Sequence, residues 1–119
     1  MSKTQDVELR TRTKAFALRI IRLYVSLPKA TEAQVLGKQV LRSGASVGAH
    51  YREAQRAKSN ADFISKIEGG LQELDETAYW LELLVEAKIV PENKLAALMK
   101  EADELIAIFV AMVNKMKRK

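Results

Sequence analysis

Apolar residues return every three or four positions in four stretches of the chain, and nowhere do they alternate strictly with polar ones. The pattern predicts helices and no half-buried strand. In the first stretch Phe16, Ile20, Leu23 and Leu27 keep one helical face, and Pro28 closes it, having no amide to donate and no place in a helix interior. The second opens on Thr31-Glu32-Ala33-Gln34, a capping-box pattern, and runs through Leu36, Val40, Val47, Tyr51 and Ala54 to an end near Ala57. Ser59 or Asn60 caps the third, which has the most regular rhythm: Phe63, Ile67, Leu71, Leu74, Ala78, Leu81 and Val85. Pro91-Glu92 reads as the first turn of the fourth, whose stripe is Leu95, Leu98, Ala102, Leu105, Phe109, Met112 and Met116.

Helices are therefore expected at about residues 5–27, 32–57, 60–88 and 91–117 of a single domain spanning 1–119. Three short connections set successive helices antiparallel, and the expected fold is an all-α, up-down-up-down four-helix bundle. At 119 residues a chain buries enough surface for one core without staples.

Residues 42–57, RSGASVGAHYREAQRA, place two glycines four apart among small residues. They match neither the phosphate-cradling G-x-x-x-x-G-K-[ST] nor the dinucleotide G-x-G-x-x-G pattern. Val40, Val47 and Tyr51 hold helical phase across them, so Gly44 and Gly48 are expected within a helix, where each costs about 1 kcal/mol relative to alanine. Close approach of another helix is the usual compensation. If the second and third helices turn near 58–60, facing residues have numbers summing to about 118. Gly48 is then expected opposite Gly70, Ser46 near Glu73 and Arg42 near Glu76.

There is no cysteine, so neither disulfides nor thiolate metal sites arise. The N-terminal residues are polar and charged without an apolar core, and the longest apolar run, 105–113, is well short of a bilayer span. A cytoplasmic protein with no membrane partner is expected. A carboxylate-bridged di-metal bundle needs two Glu-x-x-His copies. The one histidine stands in the reverse order, His50-x-x-Glu53. Ser43 and Ser46 lie on a helix with no strand-turn-helix elbow to present a nucleophile. The expectation is a protein that is not an enzyme, with no cofactor, no metal and no small-molecule substrate.

Charge changes the picture more. The net charge is +5, and residues 1–58 carry 12 Lys and Arg against four acids while residues 59–119 carry eight against eleven. Such asymmetry suits an anionic partner or charge-complementary self-assembly. Arg12, Arg19 and Arg22 on the first helix, Arg52, Arg56 and Lys58 at the end of the second, and Lys115, Lys117, Arg118 and Lys119 at the end of the fourth are candidates for phosphate contacts. Few exposed aromatics interleave with them, so no base-stacking surface is visible. Trp80 reads as core or interface. With Leu83 and Leu84, and with Ile106, Ile108 and Val110 on the fourth helix, it widens the apolar arc beyond what one bundle interior needs, which favours self-association.

The block Leu41-Arg42-Ser43, Ala45-Ser46-Val47-Gly48-Ala49, Arg52-Glu53-Ala54, Ser59, Asp62-Phe63-Ile64-Ser65-Lys66, Leu71-Gln72-Glu73 and Glu76-Thr77-Ala78-Tyr79-Trp80-Leu81 resembles the signature of the four-helix-bundle proteins encoded in intervening sequences of bacterial 23S ribosomal RNA genes. That signature is shared with the accessory variability proteins of diversity-generating retroelements. The resemblance is close over the middle two helices and holds by pattern over the outer two. It implies a homopentameric ring of non-enzymatic subunits whose basic surface engages RNA or other nucleic acid. The matching polar positions Arg42, Ser46, Glu53, Glu73 and Glu76, with His50 among them, are then structural or assembly residues, and Gly44, Gly48 and Gly70 serve close packing. The chain departs from the pattern at His50, where asparagine is usual, and at Gly69-Gly70, where alanines are commoner. The competing expectation is a protein-interaction scaffold without a nucleic-acid ligand.

Overall fold

The computed structural model describes residues 2–119, and these form four helices: α1 (Lys3–Ser26), α2 (Thr31–Gln55), α3 (Asn60–Glu86) and α4 (Glu92–Lys117). They make an elongated bundle of 48 × 21 × 20 Å. The helices pack in chain order, most extensively α2 against α3, while α1 and α4 barely meet and the diagonal pairs have no close backbone approach. The bundle is thus a ring of four rods with one thin seam.

Helix ends follow local chemistry, not always where the sequence pattern pointed. A capping box forms at Ser2, whose hydroxyl accepts from the Gln5 amide while the Gln5 side chain accepts from the Ser2 amide. The box expected at Thr31 does not form. Ala30 is the N-cap of α2 without a side-chain bond, and Gln34 instead donates to the Pro28 carbonyl and accepts from the Tyr24 hydroxyl. Gln34 ties the incoming loop to α1, which takes it away from its own helix start. Ser59 caps α3 by accepting from the Asp62 amide. That helix ends at Glu86 because Lys88 takes a left-handed backbone, φ 61°, a conformation that halts a helix and favours glycine.

The core runs the length of the bundle. Phe16 and Ile20 of α1, Val40, Val47 and Tyr51 of α2, Ile67, Leu74, Leu81 and Leu84 of α3, and Leu105 and Phe109 of α4 are all essentially inaccessible. Each such side chain contributes about 1.5–3 kcal/mol by leaving water. Three polar residues, Thr13, Ser43 and Thr77, are equally buried and satisfied. Thr13 donates to the Leu9 carbonyl, and Ser43 donates to the Gln39 carbonyl and accepts from Thr77 across the α2–α3 interface at 2.8 Å.

The glycines lie at close approaches, but Gly48 does not face Gly70. A Cβ on Gly48 would point at Thr13 of α1, 3.2 Å from its hydroxyl oxygen, and one on Gly44 would sit 2.7 Å from Ile20 Cγ1. Both serve the α1–α2 interface. Gly70 faces Phe109 of α4, at 2.8 Å from the ring, and the Cβ of His50. The expected hairpin register is close, since Arg42 meets Glu76 and Ser43 meets Thr77, but rotation about the axis of α2 turns its small residues toward α1.

Candidate nucleic-acid interface

In an antiparallel bundle the starts of α1 and α3 share one end with the finishes of α2 and α4. Two basic clusters remote in sequence, Arg52/Arg56/Lys58 and Lys115/Lys117/Arg118/Lys119, therefore come to the same end. Lys58 and Met116 line one recess there with Asp6, Ser59, Asn60 and Phe63. Charge is also uneven along the bundle axis. The half made of residues 2–14, 44–73 and 105–119 holds 12 Lys and Arg against six acids, and the other half eight against nine. Arg52, Arg56, Lys58, Lys115, Arg118 and Lys119 are exposed, and ion pairs among the described residues engage other cations. Lys117 alone of the two clusters forms a side-chain ion pair, with Glu68 at 3.6 Å.

The three arginines of α1 part company. Arg12 is half-buried and reaches across the thin seam to α4, donating from Nε and Nη2 to the two oxygens of Glu101 at 3.1 and 2.7 Å and from Nη2 to Glu104 at 3.2 Å. The hydrogen bond to Glu101 is the largest influence raising its pKa above the usual guanidinium value. This arginine fastens α1 to α4. Arg19 is half-buried and Arg22 exposed, both on the far side of Arg12 from the basic end.

Two further cations, absent from the candidates that the sequence pattern supplied, join the basic end. Arg10 and Lys14, one helical turn apart on α1, line a shallow recess with Val7, Thr11 and Arg52 of α2. No carboxylate lines it. Their spacing was legible, but only the register of α1 on α2 brings Arg52 beside them. Phe63 was hidden as well, because it sits on the apolar stripe of α3. It is only partly buried and lines both the end recess and a groove along the α1–α4 seam.

The polar residues between α2 and α3 form pairs. Arg42 donates to Glu73 at 3.3 Å and to Glu76 at 2.6 Å, and the bond to Glu76 is the main influence raising its pKa. Ser46 does not reach Glu73; its hydroxyl donates to the Arg42 carbonyl of its own helix at 2.6 Å, the usual fate of a mid-helix serine. Glu53 lies 3.8 Å from Lys66. His50 rests against Gly69, and its Nδ1 is buried without a hydrogen-bond partner. Tyr51, fully buried, donates to Asp6 at 2.9 Å, and burial first, then that bond, pushes its hydroxyl well above the usual phenol range.

Trp80 is partly buried against the core, with its indole nitrogen enclosed and unpaired, and meets the exposed Tyr79 edge-on at 5.2 Å. The apolar surplus is not where the sequence suggested. Leu84 is core and Ile106 and Ile108 pack on it, leaving Val110 exposed on α4. The outer face of α1 carries more, with Val7, Leu18, Ile21 and Val25 all exposed, and Val35 is exposed on α2. Among the described residues no helix is long and apolar enough to cross a membrane, and no three metal-ligating side chains converge.

A solved structure, that of a protein of unknown function from the S23 ribosomal protein family of Bacteroides thetaiotaomicron, is 36% identical to this chain. It superposes with a TM-score of 0.85 and the match covers 92% of this chain and 97% of that one. No curated protein matches the chain. The family model described as 23S rRNA-intervening sequence protein matches residues 5–111, nearly the whole bundle. The chain belongs to the 23S rRNA-intervening sequence protein family.

Proposed function

We propose that the protein is a non-enzymatic, cytoplasmic nucleic-acid-binding factor, and that RNA is its ligand. The observation that carries this is the collection of unneutralised cations at one end of the bundle, including a recess walled by Arg10, Lys14 and Arg52 with no carboxylate among them. A carboxylate-free cluster of lysines and arginines attracts phosphate oxygens and releases counterions on binding. Arg12 is excluded from the interface, its charge being committed to Glu101 and Glu104. Arg19 and Arg22 stand farther along α1, beyond Lys14 and away from the end clusters.

The subunit is further proposed to assemble as a homopentameric ring. The apolar outer face of α1 supports this, since Leu18, Ile21 and Val25 expose side chains that a partner subunit would cover. A ring with parallel subunits would bring five basic ends to one rim and multiply a modest patch into a strong field. Light scattering on the eluting protein tests the ring, with about five times the 13.4 kDa subunit mass as the expected result. Retention of labelled RNA at rising salt tests the ligand. Binding that falls steeply between low and moderate salt is expected, and a ring that retains no RNA at low salt favours a protein-interaction scaffold instead.

A further inference from the structure

We infer that the basic end binds single-stranded RNA, with an unpaired base seated on Phe63 in the groove between α1 and α4; this rests on the nucleic-acid reading above. The thin α1–α4 seam opens near the basic end into a groove floored by Leu9, Phe63, Met112 and Met116 and rimmed by Lys115 and Lys119 on α4 and by Gln5 and Glu8 on α1, the Glu8 carboxylate facing Arg12 at 3.9 Å. Phe63 and Met116 also line the neighbouring end recess, where Lys58 stands. An aromatic face thus lies between lysines on both sides. The other aromatic side chains in this half, Tyr51 and Phe109, are wholly buried.

That juxtaposition has the chemistry of a single-strand site, in which cations follow the backbone and an aromatic surface stacks a base that is not paired. A duplex offers more phosphate charge per unit length but no free base face, so cations alone would favour the duplex. Charge also argues against a second copy docked end to end in this groove, because that would set two basic ends face to face. A phosphate-flanked base matches both the apolar floor and the lysine rim, whereas an uncharged apolar ligand would leave the lysines unused.

The test compares a labelled oligouridylate with a labelled RNA duplex of equal length at one salt concentration, using the full chain. The single strand is expected to bind roughly tenfold more tightly, and Phe63→Leu, which keeps apolar bulk without a π face, to erase that margin. Phe63→Trp should retain it, and its emission should be quenched by oligouridylate beyond any quenching of Trp80 in the wild type, a readout that stands even if the leucine variant folds poorly. Duplex bound as tightly as single strand, or absent quenching in Phe63→Trp, overturns the stacking inference and leaves the charge-based reading intact. Failure to retain either RNA overturns both.

Discussion

The imidazole of His50 on α2 occupies the space that a side chain at Gly69 on α3 would need: a Cβ there would lie 2.9 Å from both Cε1 and Nδ1 of the ring. His50 and Gly69 therefore touch across the α2–α3 interface. Gly69→Ala should displace the ring and lose stability, partly offset by the better helix propensity of alanine. With the shorter His50→Asn in place the same change should become neutral or stabilising. A double-mutant cycle by urea unfolding should return a coupling of about 0.5–3 kcal/mol, and strict additivity would mean that the two positions do not meet.

Gly44 and Gly48 should respond unequally to alanine. At Gly44 the new methyl meets Ile20, a fully buried β-branched side chain with nowhere to swing. A net loss of about 1–2 kcal/mol is expected after the propensity gain. At Gly48 it meets the Thr13 hydroxyl at 3.2 Å, a milder approach, and the loss should be smaller. Equal losses at both sites in thermal unfolding would mean that α1 does not pack on α2 in this register.

Arg12 holds the thin seam, and its removal should affect folding and leave ligand binding alone. Arg12→Gln is expected to cost about 1 kcal/mol, since the bidentate pair with Glu101 is partly solvated, and to cost less at high salt. RNA affinity should be unchanged when measured well below the unfolding temperature. A loss of affinity without loss of stability would return Arg12 to the interface.

Tyr51 sets an alkaline limit. Its hydroxyl is held neutral by burial and by the bond to Asp6, so the folded state keeps its proton more tightly than the unfolded chain. That stabilisation is complete below the ordinary phenol pKa of about 10 and declines as pH rises past it. Unfolding free energy should fall above about pH 10, and Tyr51→Phe should flatten that part of the profile. An unchanged alkaline slope in the variant would mean that other groups set it.

The helices were legible because their apolar spacing repeats over long stretches, and the α2–α3 register followed from the one short turn between them. What the sequence withheld was rotation about each helix axis, which decides that Gly48 faces Thr13 and that Ser46 bonds its own helix. The basic residues could be counted but not gathered. Only the antiparallel packing brings Arg52 to Arg10 and Lys14 and sets Lys58 and Lys115 on either side of Phe63. Phe63 looked like core because it shares the α3 stripe, and it is left partly bare because α1 and α4 barely meet at that end.

Charge removal at opposite ends of the bundle tests most directly where the ligand binds. Fluorescence anisotropy of a labelled single-stranded RNA over a salt series should compare Arg52/Arg56/Lys58→Gln with Arg19/Arg22/Lys29→Gln, two variants that remove equal charge, Lys29 being exposed in the connection between α1 and α2. The account predicts that the first binds weakly, with its log–log salt slope reduced by about 0.7 for each phosphate no longer neutralised, and that the second binds like the wild type. Equal weakening in both variants, or greater weakening in the second, would contradict it.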